Sequence, residues 1–566
     1  MRHSRIRHSG WRVASTTLVL VAIALIGVLA SSGLAGAATP TEINGSGSSW
    51  AYGAVGQWVS DVASEGVQVS YTPDGDAQGR QDFANKVSDF AVSSEGFQGV
   101  ENGVADNSGG RPYAYLPIAS GGTSFTYQIK LDGVQVENLR LSGETLTKIF
   151  TNQITNWDDP EITKDNNGVQ LPSIPIVPVV QSEGSGATQQ LTDYFATEYP
   201  SIWDPFAGQS GPTEYFPRQG DQIAQNGSTG AMNYIASSAA NGSIGYVEYS
   251  YPLSVGYPVA KVLNSGGYYT LPTQYNVAIA LEQAQINMDP SSPDYLLQTL
   301  TNVYTDPDPR TYPLSSYVYM IEPTGGPGVA PNDPSETSGK RQSIADFEYY
   351  SICQGQSQIG GIGYSPLPVN LVEAAFSQIQ KLQQADPSVD LTNLNIQTCN
   401  EPTFVPGQPN VNYLTTIAPQ PPACDQQGVG PCAAGVTPNG LGSTPTQSGS
   451  YPGTHAGSSG GTAAAGSAAA AGSKATTTTR PGQAGTSAAS AGTTTGPAGG
   501  AGGSAVAAVA AASDNRPPLE STLLPGRGLS SAGWVVLFVG GGLLLVFAVP
   551  IFIGYRRARR RQEEGT

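Results

Sequence analysis

Three stretches of this 566-residue chain share one design: a strand-like run, a Gly/Ser-rich turn, then the start of a helix. The first is Ile43-Asn44-Gly45-Ser46-Gly47-Ser48-Ser49-Trp50, the second Pro73-Asp74-Gly75-Asp76-Ala77-Gln78-Gly79-Arg80, and the third Gln181-Ser182-Glu183-Gly184-Ser185-Gly186-Ala187-Thr188. A helix N-terminus leaves backbone N–H groups unpaired and carries partial positive charge. Glycine admits a ligand close to the backbone, and a hydroxyl adds a donor. Three such ends aimed at one cavity would hold a small oxyanion without histidine, metal or bulk positive charge. A serine ahead of a helix is also the ordinary N-cap, so one such turn alone specifies only a helix start.

The elements that must position these turns alternate strand and helix from about 41 to 400, which argues for α/β lobes. After the first turn, Val55, Trp58, Val59 and Val62 share a helix face. Val67–Tyr71 reads as a short strand, and Gln78–Val87 as a helix with Phe83 and Val87 at i and i+4. Leu146–Ile149, Gln189–Tyr199 and Ile344–Cys353 read as helices. Ile174–Val180 reads as a buried strand whose ends Pro175 and Pro178 weaken.

Composition removes other chemistries. The three histidines are His3, His8 and His455; none falls in the foldable part, so a Ser-His-Asp triad, a Cys-His dyad or a His-ligated zinc site is excluded there. Net charge is −17, and arginines cluster at the two ends (Arg2, Arg5, Arg7 and Arg12; Arg556, Arg557, Arg559, Arg560 and Arg561), leaving the body more acidic still. Nucleic-acid binding, which needs clustered positive charge, is not expected. Charged residues make up 12% of the chain, against about 25% in ordinary globular proteins, so part of it must be low-complexity.

Residues 1–38 read as a signal peptide: a basic start, an apolar run from Leu18 to Leu29, and the A-x-A pattern Ala35-Gly36-Ala37. Residues 401–433 form a Pro-rich extension expected to lie extended over the domain. Residues 434–520 read as a disordered Ala/Gly/Ser/Thr/Pro linker. Trp534–Ile553 is an uncharged apolar run long enough for a C-terminal transmembrane helix, and the arginine-rich 554–566 then marks the cytoplasmic side. Cys353, Cys399, Cys424 and Cys432 suit an exported disulfide-bonded domain. Of three possible pairings we favour Cys353–Cys399 with Cys424–Cys432, the second closing a small loop; a metal site is the alternative.

The chain resembles the periplasmic phosphate-binding proteins, the substrate-binding component of the phosphate ABC importer. The likeness spans about residues 41–380. It is carried by Gly45–Trp50, Val87-Ser88-Asp89-Phe90-Ala91-Val92-Ser93-Ser94, Leu141–Leu146 running on to Ile154–Asp159, Gly184-Ser185-Gly186 and Gly242-Ser243-Ile244-Gly245-Tyr246-Val247-Glu248-Tyr249. Cys353–Gln356 followed by Gly363–Pro368 resembles actinobacterial members.

This resemblance implies an α/β, two-lobed periplasmic-binding-protein fold of type II. Residues 39–118 and 312–400 would form lobe 1, residues 119–311 lobe 2, with a hinge between them. It implies capture of inorganic phosphate by lobe closure outside the membrane, delivery to permease and ATPase subunits of the importer, no cofactor and no catalysis. Ser49 stands where the family has a hydroxyl ligand, and Trp50 where the next backbone N–H is used. Ser185, Gly186 and Ala187 match the third turn, with Ala187 replacing a threonine. Three positions depart: the family's second-turn serine falls on Asp76, its proton-accepting aspartate on Ser94, and its arginine on Gln181. Asp76 could take over as acceptor from the opposite wall, with Arg80 one helical turn away to neutralise it, and Glu95 is another candidate acceptor. The departures leave open a pocket for a different small ligand, or a surface adhesion or assembly role.

Overall fold

The computed structural model describes residues 41–432, apart from 102, 327–332, 334–336, 400–401 and 409. The expected signal peptide, linker, Trp534–Ile553 helix and basic tail lie outside the described residues. Among the described residues, no helix is long and apolar enough to cross a membrane.

Strand, turn and helix repeat along the chain. In order, with shorter helices and hairpins between them, come β1 (Ile43–Gly47), α1 (Tyr52–Ala63), β2 (Val69–Thr72), α2 (Asp76–Ala84), β3 (Phe90–Ser93), β4 (Tyr113–Tyr127), β5 (Arg140–Leu141), α3 (Gly143–Phe150), β6 (Val177–Gln181), α4 (Gly186–Glu198), β7 (Ile223–Gln225), α5 (Gly227–Ala236), β8 (Ser243–Glu248), β9 (Val259–Leu263), β10 (Tyr269–Thr270), β11 (Ser315–Pro323), α6 (Ser338–Ile352) and α7 (Val369–Ala385). The eleven strands join in one sheet in the order β7-β6-β8-β4-β11-β3-β1-β2, with β9 pairing β4, β5 and β10. Pairing is parallel where helices cross over, at β1–β2, β1–β3, β6–β7 and β6–β8.

The fold has two lobes because β4 changes partners along its length. Tyr113–Gly122 pairs antiparallel with β11, whereas Thr123–Tyr127 pairs antiparallel with β8. Two glycines mark the change. A Cβ on Gly122 would stand 2.3 Å from Pro272 Cβ, and one on Gly121 would stand 2.8 Å from the Trp50 ring. The Trp50 indole donates to Thr123 Oγ1 at 3.1 Å, so the first turn is tied to the strand that links the lobes.

Local sequence explains the element ends. On α1, Val55, Trp58 and Val62 are buried and Val59 partly so, as the spacing predicts. The second helix begins earlier and ends sooner than Gln78–Val87. Lys86 adopts a left-handed conformation (φ 61°), which stops α2 and leaves Val87 61% exposed, not packed against Phe83. The strand expected at Ile174–Val180 starts at Val177, since Pro175 makes only an isolated bridge with Asn156.

The Pro-rich extension is not simply extended. It contains a helical turn at Tyr413–Ile417 and is held by side chains of the body. Lys261 pairs with Asp425 at 2.7 Å, and Arg140, stacked on Tyr269, donates to the carbonyls of Cys424 and Val429 at 3.1 and 2.7 Å. Both favoured disulfides are present, Cys353–Cys399 and Cys424–Cys432.

One pair of acids is buried in the packing between β11 and α6. Glu322 and Glu348 are fully buried, and their four oxygens have no partner outside the pair. Burial pushes Glu322 up to about 8; burial, and then the Glu322 charge, holds Glu348 well above the carboxylate range. Both groups bind protons more tightly folded than unfolded, where they ionise near 4.5. Stability is therefore lost as pH rises from that value through the folded pKa. We predict that the melting temperature falls from mildly acidic to mildly alkaline pH, and that Glu348→Gln flattens the fall, each kcal/mol moving Tm by about 2–4 °C. Calorimetry on both proteins checks this; an unchanged slope in the variant would refute it.

Candidate functional site

The site lies where the turns of the two lobes meet. Asp76 is the first residue of α2, after Gly75, whose positive φ of 112° suits glycine. Its side chain is wholly buried and points inward, so it is no solvent-facing cap. Oδ1 accepts from the Ser94 amide at 2.7 Å and interacts with the Gly186 amide at the start of α4. A carboxylate from one lobe thus meets a helix N-terminus of the other, a favourable charge–dipole contact. Oδ2 and the buried Ser48 and Ser94 hydroxyls make no hydrogen bond of ordinary geometry, although the Ser48 hydroxyl lies close enough to act as a donor toward the Asp76 carboxyl. Burial raises the Asp76 pKa, while the Gly186 and Ser94 amides, the Arg80 charge and the Ser48 hydroxyl pull it back.

Arg80 does not serve as a free counter-charge beside Asp76. Its Nε reaches both oxygens of Asp106 (3.2 and 3.0 Å), its Nη1 donates to Ser93 Oγ at 2.9 Å, and its Nη2 contacts Asp106 and, across the cleft, Glu214. The guanidinium is fully buried. Burial opposes its charge, but Glu214 and Asp106 outweigh that and keep it firmly protonated.

Ser49 is committed to the opposite lobe. Its Oγ accepts from the Ser228 amide at 3.1 Å and so caps α5, whose own Asn226 makes no side-chain cap bond. Glu183 Oε2 accepts from the Gly227 amide at 3.0 Å on the same helix end. Gln181 donates from Nε2 to Ser228 Oγ at 3.3 Å and to the Tyr246 carbonyl at 3.4 Å; its Oε1 is buried without a partner. Ser185 caps α4 through the Thr188 amide at 3.1 Å, and Ala187 is fully buried behind it. The lobes also touch through main chain, Ala77 N to Gly184 O at 3.2 Å, and through Tyr251 Oη to Ser49 O at 2.6 Å.

Asp76, Ser94 and Gly186 therefore form one cluster, and Ser49 and Gln181 a second, centred on Ser228. Trp50 contributes its indole to the hinge. Glu95 is a further acid near Asp76: burial, and then the charges of Glu214, Asp193 and Asp76, hold its carboxyl well above the usual range. Ser48, Ser228 and Glu214 were not singled out from sequence. Ser228 had a visible signal, because Asn226-Gly227-Ser228-Thr229 is a fourth Gly/Ser turn ahead of a helix. Glu214 had none: it lies outside every such turn.

Two α/β lobes closing on a cleft of helix N-termini form the architecture of a substrate-binding protein. Residues 33–353 match the profile of the PBP superfamily domain, and the chain belongs to that superfamily. Among relatives, it is 26% identical over 333 residues to phosphate-binding protein PstS of Xylella fastidiosa, covering 59% of this chain and 83% of that one. It is 28% identical over 368 residues to phosphate-binding protein PstS 2 of Mycobacterium tuberculosis, covering 63% and 93%. Of solved structures, a putative phosphate ABC transporter substrate-binding protein with bound phosphate from Clostridium perfringens aligns with a TM-score of 0.38 at 16% identity, covering 58% of this chain and 100% of that one. A phosphate-binding protein from Stenotrophomonas maltophilia aligns with a TM-score of 0.42 at 15% identity, covering 60% and 93%.

Removing Arg80 would leave Asp106 and Glu214 buried without their shared cation. We predict that Arg80→Met destabilises the protein by about 3–5 kcal/mol, the usual cost of breaking a buried ion pair from one side. Urea unfolding measures it; a loss below about 1 kcal/mol would show the pair to be dispensable.

Proposed function

We propose that this protein captures inorganic phosphate in the cleft by lobe closure and passes it to the permease and ATPase subunits of an ABC-type importer, carrying out no chemistry itself. The observation that carries this reading is Asp76 Oδ2, a buried carboxylate oxygen that makes no hydrogen bond of ordinary geometry, beside the Ser94 amide and the N-terminus of α4. Such an oxygen is costly unless something donates to it. A hydrogen phosphate brings both the negative oxygens that helix ends attract and the O–H that Oδ2 lacks. The relatives' name, phosphate-binding protein, supports the same ligand.

In this reading Ser49, Trp50, Asp76, Ser94, Gln181, Ser185, Gly186 and Ala187 form the ligand surface. The lobes are 39–118 with 312–400, and 119–311. The partner change in β4 supports a hinge near the first of these boundaries. Residues 1–38 direct export, 434–520 form a tether, Trp534–Ile553 anchors the protein, and the binding domain faces outward. A second reading, a pocket altered for another small ligand, is favoured by one observation: Arg80 and Gln181 both spend donors on the protein itself.

Titration calorimetry of the full chain with phosphate, arsenate and sulfate separates the two. Micromolar or tighter binding of phosphate and arsenate, with sulfate rejected for want of a proton to give Oδ2, is the expected result. No heat and no thermal shift with any of the three would overturn the phosphate assignment and leave the second reading.

A further inference from the structure

After Cys399, which is bonded to Cys353 at the end of α6, the chain crosses from the lobe of β1–β3 to the lobe of β6–β8. Its start stays on the first lobe, where the buried Thr403 hydroxyl donates to the Leu367 carbonyl at 2.7 Å. Its turn Tyr413–Ile417 packs on the helix Gln274–Leu281, and Arg310 Nη1 donates to the Thr415 carbonyl at 3.3 Å. Its end is fastened to the second lobe by Lys261 and Arg140, by the Gln427 amide donating to the Gly267 carbonyl at 2.9 Å, and by Asn167 Nδ2 donating to the Gly430 carbonyl at 2.9 Å. This crossing lies past residues 33–353, the part that matches the superfamily profile. It also runs behind the hinge. Successive residues of a strand face opposite sides of the sheet. At the partner change in β4, Gly121 faces Trp50 of the first turn, and Gly122 faces Pro272 and Tyr312. Trp50 marks the cleft side, so Pro272, two residues before the helix under the crossing, marks the back.

We propose that this extension is a strap that favours the closed arrangement of the lobes. The lobes touch across the cleft through Ala77 N to Gly184 O and Ser228 N to Ser49 Oγ, and the anchors of the strap are made in that same arrangement. Opening the cleft about β4 draws the lobes together at the back. A segment fastened to both lobes there must then buckle or give up an end. The first end is held covalently by Cys353–Cys399, so release falls on the other, where the buried Lys261–Asp425 pair is the strongest anchor. Contacts that one arrangement makes and the other strains shift the equilibrium toward the first. The inference rests on the lobe closure in the proposed function and not on which ligand the cleft takes.

Hydrogen exchange of the full chain without phosphate, read by mass spectrometry at single amides, tests it. The Ala77 and Ser228 amides donate across the cleft and report its opening. The Asn44 and Thr145 amides are bonded within one lobe each, to Asp89 and Ser142, and report the stability of the lobes. The Gln427 amide reports the strap. Asp425→Asn takes the carboxylate from Lys261, and Cys424→Ser with Cys432→Ser frees the loop whose carbonyls Arg140 holds. In each variant Ala77, Ser228 and Gln427 are expected to lose at least about tenfold in protection, with Asn44 and Thr145 unchanged. Unchanged protection at Ala77 and Ser228 once Gln427 has lost its own would overturn the inference. So would protection kept at Gln427 in both variants, which would show that these anchors do not fasten the strap. An equal loss at all five amides would overturn it too, by assigning the effect to general destabilisation. Each of these failures leaves the phosphate reading standing, since that reading fails only in the anion titration.

Discussion

A single buried guanidinium reconciles the acids of the two lobes. The lobes bring Asp106 from one side and Glu214 from the other into a buried region, and Arg80 contacts both. Two carboxylates left there alone would each pay a desolvation cost of several kcal/mol. With Arg80 between them the charges are paired, and the fork geometry lets one side chain serve three acceptors. Asp76, one turn earlier on the same helix, gains only a through-space benefit. Its hydrogen bonds come chiefly from the Gly186 and Ser94 amides, with the Ser48 hydroxyl a further donor.

The sheet makes that arrangement possible by joining the lobes through backbone rather than through a linker. Because β4 serves β11 along its first part and β8 along its last, the register of one lobe is fixed relative to the other at Gly122/Thr123. Trp50 reports the same constraint from the site. Its indole bonds to Thr123, its carbonyl accepts from Tyr364, and its ring packs edge-on against Tyr364, so the first turn cannot shift without disturbing the junction. Glu248, opposite Thr123 in the register, is fully buried there, and burial pushes its carboxyl up to about 8. Burial there disfavours a charge on this acid, and the Ser250 amide, donating to its Oε2 at 2.6 Å, offsets part of that cost.

The features legible in the sequence were those whose physics is local. Gly/Ser turns ahead of helices announce themselves within eight residues, and three of the four that meet in the cleft could be read directly. The disulfide pairing, favoured among three possibilities for the small loop that Cys424–Cys432 closes, is the one present. The family pattern gave the two lobes. What stayed hidden was long-range. Arg80 and Glu214 are 134 residues apart, so nothing nearby in sequence redirects Arg80 away from Asp76. Ser49 reads locally as a ligand hydroxyl, and nothing nearby in sequence shows that its oxygen also caps a helix 179 residues away. The error at Val87 is of another kind: apolar spacing continued past the helix end, and only the left-handed turn at Lys86 shows where α2 stops.

The position of Asp76 ties closure to recognition. Its Oδ1 joins Ser94 of one lobe to Gly186 of the other, so the carboxylate is itself part of the contact between the lobes. An anion entering the same space competes for positive potential at the α4 N-terminus, where Asp76 already sits. Two negative groups at one helix end repel unless a proton lies between them. A ligand O–H directed at Oδ2 supplies that proton and converts the repulsion into a charge-assisted hydrogen bond. A site built on an arginine can accept an anion in any protonation state, because the cation offsets whatever charge arrives. Here the Arg80 guanidinium is already spent on Asp106 and Glu214.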